Sequence, residues 1–449
     1  MISEQEFRAI RDRVLKASGA DETELTLGGG REELTRFGEN RITQNVSEER
    51  YDLRVRVRLG KRQGLATTND LSPAGLARCV ENAEALARIQ PESERVFEFH
   101  RDGERHEETA WAADTAAVDA AARASWVETA VRVAAGQGIE LGGIALASEG
   151  SIGDYGEIEP FAVANSTGLL RFGKKTRAVF EVSAAKGDGA GRSRLLAKSA
   201  AAVDPVRIAE DACRRCLESR QPAALAPGDY TVVFEAEAAQ DLLFFLTYLG
   251  FNGLAVAEKR SPLGERLGER VFGENITLRE APGDPRLFGL GFDAEGVDTQ
   301  AVTLIDKGVL KSFLHDRASA RLTGQTPTGH GLPQPNNYGA FIRFPVLSGG
   351  AASLADLIAG VERGVLVTRL WYTNVVDPMR MIITGMTRDG TFLIEKGALV
   401  GPVKNFRFNQ SLLELFNRVE ALGQEQALGG MVLPHLRVRD FRFSSGTDF

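Results

Sequence analysis

Residues 229–251, DYTVVFEAEAAQDLLFFLTYLGF, constrain the fold more than any other part of the chain. A β-type run from Tyr230 to Phe234 passes without proline or glycine into a helical pattern, in which Ala236, Ala239, Leu243, Leu246 and Gly250 recur at three- and four-residue steps. The pattern predicts a strand that feeds a buried helix. Phe244, Phe245, Leu246, Thr247, Tyr248 and Leu249 follow one another on that helix, and none of them ligates a metal or moves a proton readily at neutral pH.

Just upstream, residues 219–228 hold Pro222, Pro227 and Gly228 and show no periodicity, which marks a boundary between a domain of residues 1–222 and one of residues 223–449. A chain of 449 residues has room for both, since a domain usually takes roughly 100–200 residues. In the first, Ser3 and Glu6 form a capping box ahead of a helix with Phe7, Ile10 and Val14 on its inner face. Strands are expected at residues 24–27, 41–46 and 51–59. In the last of these Leu53, Val55, Val57 and Leu59 alternate with Asp52, Arg54, Arg56 and Arg58, so the arginines read as a solvated sheet face, with an anion-binding stripe as the functional alternative. Ser72 and Pro73 open a second helix, the polar residues 90–108 read as a surface loop, and residues 118–135 form a third helix. Strands at 139–147, 158–164 and 176–185 precede a helix that Asp204 caps. The second domain has many short strands, with hairpins at 301–314 and 380–395, a helix at 410–422 and a closing strand at 436–443. The expected class is α+β: an N-terminal α/β domain with helices on a mostly antiparallel sheet, then a β-rich C-terminal domain with a few helices.

A net charge of −7 argues against direct nucleic-acid binding, and no run reaches the ~20 uncharged residues of a membrane span. The charged N-terminus has no secretory pattern, and three cysteines are too few for a disulfide framework, so the expected location is the cytoplasm.

Cys213 and Cys216 form a CxxC near a helix end, but without a second such pair they read as buried thiols rather than a redox or metal site. His100 and His106 sit in a charged stretch and read as surface residues. The densest candidate chemistry runs from His315, Asp316 and Arg317 to His330, beside a glycine-rich loop able to offer backbone donors to an anion. Asn374 and Asp377 could add polar groups to the same cleft, although Asp377 before Pro378 also suits a turn. No HExxH, GxSxG or Walker-type loop occurs. The residues themselves therefore define no catalytic group and no metal ligand.

Residues 36–44, RFGENRITQ, with the strand after them, residues 229–251, residues 293–331 beginning DAEGV, and residues 385–422 together resemble the TldD/PmbA family of peptidase-related proteins, also called modulators of DNA gyrase. The resemblance covers nearly the whole chain. It implies an N-terminal α/β domain, a β-rich C-terminal domain, and dimers enclosing a channel for unfolded peptide. The family has a catalytic branch, with a histidine pair and a glutamate on the helix after the boundary strand, and a PmbA/TldE branch without them. The corresponding turns here run through Phe244, Phe245 and Leu249, and no histidine stands between His106 and His315.

The resemblance thus implies a non-catalytic or regulatory subunit of a cytoplasmic metallopeptidase acting on unfolded or modified peptides. It implies no cofactor in this chain and zinc in a TldD-like catalytic partner, with the chain forming a homodimer or a heterodimer with that partner. An open sheet edge would capture the extended peptide, and His315, Asp316, Arg317, His330, Asn374 and Asp377 are the candidate groove residues. Two alternatives stay open: a divergent metallopeptidase built on His315, Asp316 and His330, and a gyrase-linked interaction protein.

Overall fold

Alternating apolar residues in the first half build an eight-stranded sheet in the computed structural model, which describes residues 1–150 and 160–447. Strands β1 (Glu22–Gly38), β2 (Arg41–Leu59), β3 (Arg62–Thr68), β4 (Glu104–Ala110), β5 (Glu140–Gly150), β6 (Pro160–Asn165), β7 (Leu170–Lys186) and β8 (Gly189–Ala197) follow in sequence. They pair in the order β3-β2-β1-β5-β7-β4, with β6 joined to β1 and β7, and β8 to β7. Glu39 and Asn40, at φ 50° and 61°, make the tight turn between β1 and β2. Of the strand expected at 158–164, residues 158 and 159 lie outside the described residues.

Helices α1 (Glu4–Ala17), α2 (Pro73–Ile89), α3 (Ala113–Ala116), α4 (Ala120–Ala134) and α5 (Pro205–Glu218) pack on this sheet. The capping box of Ser3 and Glu6 forms as expected, and Phe7, Ile10 and Val14 are buried. They join Leu25, Val55, Val80, Phe161 and Phe172 in one core, which also takes in Leu290 and Phe292 from the second half of the chain.

Eleven strands form the second sheet: β9 (Gly228–Phe234), β10 (Leu278–Glu280), β11 (Val302–Asp306), β12 (Val309–Leu310), β13 (Pro345–Leu347), β14 (Arg363–Asp377), β15 (Ile382–Glu395), β16 (Ala398–Pro402), β17 (Phe406–Ser411), β18 (Val419–Ala427) and β19 (Val432–Gly446). Because β9 pairs with both β14 and β19, the strands β9, β14, β15, β17 and β19 close into a ring of pairings. Helices α6 (Ala236–Gly250), α7 (Gly253–Ala257), α8 (Arg317–Thr323), α9 (Leu354–Ala359) and α10 (Leu412–Asn417) accompany this sheet. The run from β9 into α6 is the predicted strand and buried helix. Leu242, Leu243 and Leu246 are fully buried against the ring, each worth roughly 1.5–3 kcal/mol of transfer free energy. With 24% helix and 42% strand in two mixed sheets, the chain has the expected α+β class. Among the described residues no helix is long and apolar enough to cross a membrane.

Four local expectations change. The hairpin expected at 380–395 is one strand, β15, whose Asp389 and Gly390 take φ 58° and 139° in a bulge opposite Thr368. The real turn lies before it, where Asp377 accepts from Arg380 N at 3.1 Å. The helix expected at 410–422 shrinks to α10, because β15 and β19 take the backbone of β17 and β19 takes that of β18. Part of the loop expected at 90–108 is β4, a charged strand held parallel to β7. Finally, Arg54, Arg56 and Arg58 are covered rather than solvated. Arg56 lies 2.8 Å from Glu24 and over the Phe99 ring, Arg58 is 3.0 Å from Glu22, and Arg54 donates to Gln334 O at 3.1 Å.

Candidate functional site

One face of α6 is core, and the other carries Glu237, Asp241, Phe244, Phe245 and Tyr248 at three- and four-residue steps. The helix starts under an unusual acceptor: Ala236 N donates to Nδ1 of His435 at 2.9 Å, so this imidazole must be unprotonated at that nitrogen. Burial lowers the His435 pKa and Arg215 adds to the effect, which keeps the acceptor available.

The first turns of the face are polar. Arg192 of β8 grips Glu181 through two hydrogen bonds, at 2.9 and 2.7 Å, and also pairs with Glu237, tying the first sheet to the helix of the second. Beside it Arg215 holds Glu235 at 2.7 Å. Burial pushes the Glu237 carboxyl above its ordinary range, with Arg192, Arg215 and Arg369 opposing the shift. Burial also raises Asp241, opposed by the hydrogen bond from Thr373 and by Arg369, while the charge of Glu237 adds to the rise. Asp241 accepts from Thr373 Oγ1 at 2.8 Å and has no cation within 4 Å among the described residues. Arg369 pairs with Asp389, and it and Arg388 flank the Trp371 ring at 4.9 and 4.8 Å. Glu39, Glu140, Glu181, Trp371, Arg388 and Asp389 line a cleft of about 480 Å³ where the two halves meet.

The later turns are aromatic. Phe244 stacks on Tyr248 with centroids 6.0 Å apart, and Tyr248 on Tyr338 at 5.3 Å. Phe341 closes the group 6.2 Å from Phe244. The Tyr338 hydroxyl donates to Tyr248 O at 2.6 Å, which fixes the ladder to the backbone of α6. Phe244 and Tyr248 each remain 37% exposed, so two adjoining rings of the ladder face outward.

The face does not fit a catalytic zinc ion. It offers no imidazole, and one of its two carboxylates is held by Arg192. Among the described residues, no three His, Cys, Asp or Glu side chains gather as metal ligands.

The candidate groove residues fall in two separate places, and several of them are not open. His315, Asp316 and His330 are 7%, 1% and 1% exposed, so they line no open groove. Asp316 caps α8 through Ser319 N at 2.8 Å. His330 contacts Glu280 at 3.1 Å and Thr328 Oγ1 at 2.9 Å. Burial lowers the pKa of His315, whose ring packs where a Cβ on Gly253 would lie 2.3 Å from Nδ1. Arg317 crosses to the first half, stacking on Phe97 and donating to Glu98 O at 2.6 Å. Asn374 and Asp377 stand on the outer stretch of β14, with Asn374 exposed and Asp377 in its turn. Phe244 is exposed on the α6 face, and Phe245 and Leu249 are half-buried beside it. Cys213 and Cys216 are buried free thiols, both pushed up by burial, as is Cys79.

Two groups escaped the sequence reading. Glu237 and Asp241 were hidden because the helical pattern was followed on its apolar side only. Asp293 and Glu295 form a buried acid pair above Gly331, with Asp293 accepting from Glu295 N, Val297 N and Gly331 N at 2.9, 2.9 and 2.6 Å. Burial, then the charges of Asp293 and Asp316, push Glu295 up to about 8.

Comparison with known proteins gives two matching family models. Residues 24–87 match PmbA/TldA metallopeptidase domain 1, and residues 227–445 match the PmbA/TldA metallopeptidase C-terminal domain. The chain is 25% identical over 429 residues to the metalloprotease PmbA of Escherichia coli O157:H7, covering 90% of this chain and 88% of that one. It is 27% identical to a metalloprotease PmbA homolog of Buchnera aphidicola, a match covering 49% of this chain and 47% of the relative. The match thus spans about half of that relative's length. The crystal structure of TldE from Thermococcus kodakarensis superposes with a TM-score of 0.83 at 21% identity, covering 97% of this chain and 99% of that one.

Proposed function

The chain belongs to the PmbA/TldD family, and on that premise we propose that it is a non-catalytic subunit that holds extended peptides for a TldD-like, metal-bearing partner. The observation that carries this reading is the outward face of α6. In the catalytic branch this helix is expected to bear imidazoles. Here the same turns bear Phe244, Phe245 and Tyr248, with Glu237 tied to Arg192. A helix face that has kept its exposure while lacking ligands is suited to binding rather than to activating water.

A second feature supports peptide handling. β3 pairs only with Leu53–Leu59 of β2, so residues 41–52 of β2 keep an edge without a strand partner among the described residues. Such an edge presents alternating N–H and C=O groups to which an extended peptide adds through main-chain hydrogen bonds, whatever its sequence. The cytoplasm is the proposed place of action, and zinc belongs to the partner in this reading.

The test is reconstitution. The purified chain, a co-expressed TldD-like partner and their mixture are assayed on an unstructured peptide, with metal content read by mass spectrometry. Cleavage and stoichiometric zinc are expected with the partner and not with this chain alone. Chelator-sensitive cleavage by the lone chain would sink the proposal.

A further inference from the structure

Asp241 is the one carboxylate on the outward face of α6 that has no ion-pair partner among the described residues, and its neighbours along that face are rings. Glu237 is held by Arg192, whereas Asp241 has the Thr373 hydroxyl. One and two turns further on, Phe244 and Tyr248 form an exposed stacked pair, backed by Tyr338 and Phe341. A lone carboxylate beside an apolar surface complements a ligand with a cation next to a ring. Resting on the reading of this chain as a peptide-holding subunit, we propose that the α6 face selects extended peptides bearing a cationic group two residues away from an aromatic side chain, the cation pairing with Asp241 and the ring lying on Phe244 and Tyr248.

The spacing supports this choice. At about 1.5 Å per residue, the midpoint of Phe244 and Tyr248 lies about 7.5 Å along the helix from Asp241. In an extended peptide, side chains two residues apart point the same way and are separated by about 6.7 Å. Neighbours point to opposite sides, so only the alternate position brings both groups onto the face.

The test uses the full chain and blocked heptapeptides, with binding followed by calorimetry. The parent peptide has lysine third and phenylalanine fifth among glycines, and its variants put glutamate or norleucine third, or alanine fifth. Replacing lysine by glutamate is expected to weaken binding about tenfold or more. In Asp241→Asn the lysine preference disappears while the phenylalanine preference stays, and Tyr248→Ala does the reverse. Circular dichroism checks that each variant is folded, and the peptide series on the unaltered chain already decides the matter if one is not. Equal affinity for all the peptides overturns this inference and leaves the subunit reading standing. Failure of every peptide to bind the folded chain overturns both. If Tyr248→Ala turns a dimer into a monomer in sedimentation without changing peptide affinity, the face is a contact between copies and the inference falls.

Discussion

Arg192, on the last strand of the first sheet, pairs with Glu237, on the first turn of α6, so a cation from one half of the chain fixes a carboxylate in the helix of the other. The same guanidinium holds Glu181 by two hydrogen bonds, and its side chain is 12% exposed. Removing it leaves Glu237 without its ion pair and Glu181 with only the longer contact to Arg194 at 3.6 Å, in a poorly hydrated place. Arg192→Met is therefore expected to cost about 3–5 kcal/mol, the range for breaking a buried pair, with partial exposure of Glu237 favouring the lower end. Urea unfolding measures it. A loss below about 1 kcal/mol would place this contact among ordinary surface ion pairs.

Glu295 should set a pH dependence. Its pKa stands near 8 in the folded chain against a reference of 4.5 for an unhindered glutamate. Between those values the folded state keeps a proton that the unfolded state has lost. Stability therefore falls as pH rises from about 4.5 to 8, and this contribution levels off above 8. Glu295→Gln cannot ionise, so its urea midpoint should fall less than that of the parent between pH 5 and pH 8. Parallel slopes in the two proteins would show that the buried acid pair does not titrate there.

The buried histidines should matter for folding and not for peptide handling. His315 packs on Gly253, and His330 sits between Glu280 and Thr328. His315→Gln with His330→Gln is expected to lower stability by about 1–3 kcal/mol, the cost of buried polar groups left with poor partners. Peptide affinity per folded molecule should stay within twofold of the parent, roughly the scatter of independent sites. A selective loss of binding or cleavage in a stably folded double variant would restore the divergent-peptidase alternative.

Much of the architecture was legible because it rests on local pattern. Ser3 with Glu6, Ser72 with Pro73, and Asp204 with Pro205 mark helix starts that the fold keeps. The passage from β9 into α6 was readable for the same reason. What could not be read depends on distant partners. Asp389 and Gly390 have turn chemistry, and only the pairing of β14 with β15 makes them a bulge. Residues 410–422 have a helical period, and their strand partners lie elsewhere in the chain. The site was half legible: the absence of imidazole on α6 is a property of the sequence. That Asp241 lacks an ion-pair partner while Glu237 has one depends on β8, which lies some forty residues earlier.

Arg56 tests this limit directly. Alternation along β2 puts it on the polar face, where a solvated arginine would be worth almost nothing. In the fold it is 8% exposed, lies 2.8 Å from Glu24, and covers the Phe99 ring at 4.5 Å. The residues around 99 that cover it come from a stretch with no apolar period, so no pattern announces them. Arg56→Ala strands Glu24, whose side chain is 3% exposed, and should cost about 3–5 kcal/mol in urea unfolding. A solvated face would give a change within about 0.5 kcal/mol. The double variant Arg56→Met, Glu24→Leu separates the two contributions to that cost. If the loss comes from stranding a carboxylate, removing both charges recovers most of it, since apolar replacement of a buried pair is often neutral. If the loss comes from the arginine stem and its contact with Phe99, the double variant stays close to the single one, and the cover over β2 is held by packing and not by charge.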